Sequence, residues 1–268
     1  MNKFINLRYV GYQVQKNRRL MILIAVALSI TYPMALMLAS SGMKIDIYTV
    51  STLKSVNIVI FLMLAALMPL LIFRYLTSKK DLDVYHALPI KSETLFVSNF
   101  VATILIVFIP EAVAWIFGFF VQMSNGLDPS VLHLLMELGI VFAYLPIIMF
   151  PAMLAINNIG TLFDSFVYAS ILQLMPFIAM LVVSLYGETY IFAENSILTP
   201  IVSSFISYHY AFVNSILSVT SEIDFYWSYI LWPVLGVALI LLNRYLYKVR
   251  SVENVERPKL NNWFTPII

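Results

Sequence analysis

The sequence predicts an all-α membrane protein: six transmembrane helices, an N-terminal interfacial amphipathic helix, and an outer re-entrant helical hairpin before the last span. Three observations lead there. Hydrophobic residues make up 61% of the chain, charged residues 11%, and mean hydropathy is +0.89, whereas about a quarter of a soluble domain is charged. The apolar residues fall into long runs, each near the roughly 20 residues that cross a bilayer. The cations gather in three places that alternate with those runs.

The runs place spans at about 20–39, 56–75, 94–121, 131–156, 165–186 and 226–247. Fourteen of the sixteen Lys and Arg residues fall on one side if both ends face the cytoplasm, with Lys44 and Lys54 as the exceptions. The loop 187–225 carries Glu188, Glu194, Glu222 and Asp224 and no Lys or Arg, as an outer loop should. A multi-pass protein of the cell membrane with cytoplasmic termini follows. Inside that loop, 197–217 is apolar but holds Pro200, four serines, His209 and Asn214. As a seventh span it would move the C-terminal cations outside, so a re-entrant pair of short helices is expected.

Residues 1–19 read as an interfacial helix, with Phe4, Leu7, Gly11 and Val14 at helical spacing and cations around them. The apolar run behind it is too long for a cleaved signal peptide. The whole of 1–268 reads as one transmembrane domain, and the apolar close Trp263-Phe264-Thr265-Pro266-Ile267-Ile268 is compatible with a longer chain.

Residues 74–93 form the densest charged island, with four cations and three anions. Within its loop, 77–93, Thr77 or Ser78 can cap a short helix whose first turn holds Asp81. Val84, Tyr85 and Leu88 give that helix an apolar ridge, and Pro89 ends it. A polar loop carrying such a ridge is built to touch another protein.

Two carboxylates, Glu111 and Glu137, lie inside predicted spans, and His133 shares a helical face with Glu137. Ionisable groups in a span are functional candidates by default, here along a substrate path or gate. The structural alternative, which we favour, bonds them to backbone groups freed by Pro110 or Pro146, or to Ser and Tyr of the re-entrant piece.

No enzyme constellation is present. There are no cysteines, no paired-histidine metal spacing and no GxxxxGK[ST] loop. Neither a metal nor a cofactor is expected on this chain, nor is nucleic acid a partner. Any ATP it uses is bound by another polypeptide or by a further part of this one.

The stretch Lys80-Asp81-Leu82-Asp83-Val84-Tyr85-His86-Ala87-Leu88-Pro89-Ile90-Lys91 resembles the loop after the second span in permease subunits of type-2 (type V fold) ABC exporters, most of all Gram-positive ones. The interfacial helix, six spans and outer hairpin are similar to the same group. The resemblance implies a coupling helix seated in a groove of a cytoplasmic ABC ATPase, with Asp81, Asp83, Val84, Tyr85, His86, Leu88 and Pro89 at the contact. It also implies export of a drug, antimicrobial peptide or lipid-like substrate, and a second permease chain, identical or paralogous. The rival expectation is a secondary transporter or a membrane scaffold or sensor without an ATPase; a secondary transporter should show inverted repeats, and no convincing one is visible.

Overall fold

A computed structural model describes residues 4–41, 46–87, 89–186, 198–220 and 227–249. Among the described residues the regular elements are helices, and six stretches are long and apolar enough to cross a membrane: Arg18–Ser40, Ile47–Ile72, Ser92–Ser124, Val131–Asn158, Leu162–Val183 and Tyr229–Lys248. The chain is an all-α membrane protein.

Helix α1 (Leu7–Lys16) starts where the Asn6 side chain accepts from the Tyr9 amide at 3.2 Å. It buries Tyr9, Val10 and Gln13 and leaves Phe4 and Leu7 exposed. The predicted apolar stripe is therefore largely the outward one. A helix docked on a bundle at an interface needs both faces: one for protein, one for lipid.

The first span joins α2 (Arg18–Ser29) to α3 (Ala35–Ser40) through a π turn, Ile30–Met34. Pro33 lacks an amide hydrogen, and the π turn absorbs the lost bond. Tyr32 in this turn lies on Gly118, where a Cβ would come within 2.2 Å of its ring.

Helix α4 (Ile47–Ile72) begins well before the predicted 56, because Asp46 accepts from the Thr49 amide at 2.8 Å and its hydroxyl at 2.5 Å. A 3-10 turn (Arg74–Thr77) leads into α5 (Lys79–His86), and α6 (Ser92–Ser124) and α7 (Val131–Asn158) follow. Next come α8 (Leu162–Tyr186), α9 (Leu198–Ile206), α10 (Tyr208–Thr220) and α11 (Ser228–Val249).

Helix α7 is the hub, packed by α4, α6, α8, α10 and α11. At Gly236 a Cβ would sit 2.8 Å from the Ile147 backbone nitrogen, so α11 approaches α7 as closely as backbones allow. The pair α9–α10 matches the expected helical hairpin. Helices of 9 and 13 residues are each too short for a span, and Phe212 packs 5.3 Å from the Tyr144 ring and 6.4 Å from that of Phe61. The rest of the predicted outer segment, 187–197 and 221–225, lies outside the described residues, as do Lys44 and the tail from Arg250.

Helices α1 and α5 and the end of α11 lie together at one end of the bundle. Tyr85 lies beside Lys16 there, and Glu93 beside Arg244 and Lys248. This is the basic end. The pairs Tyr32–Gln122 and Lys54–Glu137 mark the opposite half.

Candidate functional site: a hooked helix at the basic end and a charged cavity in the opposite half

Helix α5 is built as the sequence predicts at its start. Ser78 is the cap, accepting from the Asp81 amide at 3.4 Å, and Asp81 stands in the first turn. The helix ends at His86, ahead of exposed Pro89. Leu88 and the side chain of His86 lie outside the described residues.

Its faces differ from the predicted ridge. Leu82 is 3% exposed and faces the bundle, while Val84 is 62% exposed. Tyr85 turns inward too, stacking on Tyr75 with ring centroids 4.1 Å apart, its hydroxyl 3.4 Å from the Lys16 ammonium. Tyr85 is thus an anchor and Val84, with exposed Asp83, the outward tip. In a two-turn helix the sequence period cannot decide which apolar residue faces in; the aromatic shelf at Tyr75 does.

That shelf ties α5 to the spans. The Tyr75 and Tyr247 hydroxyls are 3.2 Å apart, and the Asn99 amide donates to Tyr75 at 3.2 Å. Burial holds the Tyr75 hydroxyl well above its ordinary pKa, so it stays a neutral link. Alongside, Gln13 donates to the Tyr9 hydroxyl at 2.6 Å, and the Asn6 amide to Ser98 at 3.0 Å. Glu93 pairs with Arg244 and, at 2.9 Å, with Lys248, while Phe4 lies 4.6 Å beneath the Arg244 guanidinium. Through Tyr85 and Tyr75, α5 is thus linked to both α6 and α11. None of these anchors was predicted, although Arg244 and Lys248, one helical turn apart, were a legible pair of arms for an acid.

The second polar site lies within the membrane-spanning half. A cavity of about 270 Å³ is lined by Lys54, Glu137, His133, Trp115, Tyr32 and Gln122, with Asp128 among its loop residues. His133 and Glu137 do share it, as their spacing predicts. The partners expected for Glu137 do not appear: it pairs with Lys54 at 2.5 Å, with side chains 4% and 14% exposed. Lys54 belongs to the second span rather than to an outer loop, because Asp46 starts α4 early. Its ammonium also lies 4.6 Å from the Trp115 ring centroid.

Behind this pair the site is stiff. The Trp115 indole donates to Asn57 at 2.9 Å, and Asn57 donates to the Leu28 carbonyl at 3.1 Å and to Thr31 at 3.0 Å. Glu111, one turn before Trp115, is fully buried, and neither carboxylate oxygen has a hydrogen-bond partner among the described residues. This corrects the structural expectation that Pro110 or the hairpin satisfies it.

Among the described residues no group of three His, Cys, Asp or Glu is placed to hold a metal ion. No family model, no curated protein and no solved structure matches this chain.

Proposed function

We propose that the chain is the membrane-spanning permease subunit of an ATP-driven ABC exporter of the cell membrane. In this reading the basic end, with both termini, faces the cytoplasm, and two permease chains, identical or paralogous, work with two cytoplasmic ATPase subunits that bind the ATP. The observation that carries it is the hook of α5. It is locked inward by Leu82 and Tyr85, offers Val84 and Asp83 outward, and is wired through Tyr75 to α6 and α11. Such a part turns movement of a docked motor into movement of spans. The excess of Lys and Arg at that end supports the orientation.

The test is the double substitution Leu88→Ala and Pro89→Gly in the assembled complex. We expect assembly to persist while transport-coupled ATPase activity falls; unchanged activity counts against a coupling role.

One observation favours a second reading, an ATPase-independent secondary transporter: Lys54, Glu137 and Glu111 are ionisable groups inside spans, where relays are found. Transport that continues with the ATPase removed and stops when the ion gradient is dissipated selects that reading.

A further inference from the structure

We infer that the cavity around Lys54 and Glu137 is a binding site for an amphipathic organic cation, its charged group in the polar chamber and its apolar part against the neighbouring groove.

The charge count favours a cation. Among the described residues of the site Lys54 is the sole formal cation, against Glu137 and Asp128 on the wall. Glu137 uses one oxygen on Lys54. A buried charge that loses its partner costs several kcal/mol. An incoming anion would draw Lys54 away and strand Glu137. An incoming cation instead takes the second oxygen of Glu137, with Asp128 supplying further negative charge, while Lys54 keeps the first oxygen, and each charge keeps a counter-charge.

The walls point the same way. Trp115 offers its ring face to an ammonium already, with Lys54 at 4.6 Å, and Tyr32 and Phe119 add further rings to the chamber. The protein's own lysine thus occupies a cation site, and a ligand cation competes for it.

The apolar half of the ligand has a place. A second cavity, of about 670 Å³, lies between α7, α10 and α11 and is mainly apolar. His133 lines both cavities. A molecule seated past His133 puts its charge beside Glu137 and its apolar bulk against Met136, Ile140 and Val234. Binding is a property of this chain alone and holds whether or not an ATPase is the motor.

The experiment uses two probes of one shape and opposite charge. The full chain in lipid nanodiscs is titrated with tetraphenylphosphonium and with tetraphenylborate, following tryptophan fluorescence and calorimetric heat. Saturable binding of the phosphonium at least about tenfold tighter than the borate is expected, a difference of about 1.4 kcal/mol. Glu137→Gln should abolish that preference. Because this variant strands Lys54 and can misfold, Asp128→Asn at the cavity mouth serves as the second. It should weaken the phosphonium about threefold, the size of a partly exposed charge interaction. Equal affinity for the two probes, or a folded Glu137→Gln chain that keeps the preference, overturns the inference.

Discussion

Replacing Lys54 with Met removes one member of the buried pair and leaves Glu137 uncompensated at 4% exposure. Breaking a buried ion pair from one side costs about 3–5 kcal/mol, since the remaining carboxylate has neither water nor counter-charge. The cation–π contact with Trp115 is lost as well. At roughly 2–4 °C per kcal/mol for a chain of this size, Tm should fall by about 6–20 °C. Adding Glu137→Gln should recover much of that loss, because the stranded charge is gone. The assay is thermal unfolding of wild type, both single variants and the double variant in one lipid environment, read as a double-mutant cycle. If Lys54→Met unfolds with the wild type, or the double variant loses the sum of the singles, Lys54 and Glu137 are not a buried pair and the cavity geometry is wrong.

Three further outcomes are expected. Val84→Asp should leave Tm unchanged while depressing coupled ATPase activity, whereas Tyr85→Ala should lower both, since Tyr85 is the anchor; identical behaviour of the two would erase the distinction. Gly236→Leu should separate α11 from α7 and cost about 1–3 kcal/mol or more in Tm-derived stability, while an unchanged Tm would show that these helices do not touch there. The Asp46 carboxyl is held below its ordinary 3.8 by the Thr49 hydroxyl and amide. A depressed carboxyl stabilises fully above 3.8, and that contribution fades as the pH falls through the lowered value. An NMR titration of the Thr49 amide should accordingly have its midpoint below 3.8, and one at or above it removes the cap.

The spans were legible because each is a long oily run, and so was the start of α5, where Ser78 and Asp81 carry their own cap chemistry. The hairpin was readable from charge placement, since Pro200 and the serines argue against lipid exposure. What escaped was tertiary. Asp46 and Thr49 extend α4 outward beyond the oily residues, turning Lys54 from an apparent loop cation into the partner of Glu137, 83 positions away. Hydropathy contains no record of that pairing. Tyr85 was legible as an apolar contact but not as an inward one, because its direction depends on Tyr75, Asn99 and Tyr247, three residues from three different elements.

The central claim is that α5 is a cytoplasmic handle gripped by a separate ATPase, and the cysteine-free chain allows it to be probed at a single atom. Val84→Cys, placed at the outward tip, is exposed to a membrane-impermeant maleimide on intact cells and, in open membranes, to a short thiol cross-linker. The account predicts no labelling from outside and a cross-linked product containing an ABC ATPase. Labelling of intact cells, or a cross-linked product containing no nucleotide-hydrolysing protein, contradicts it.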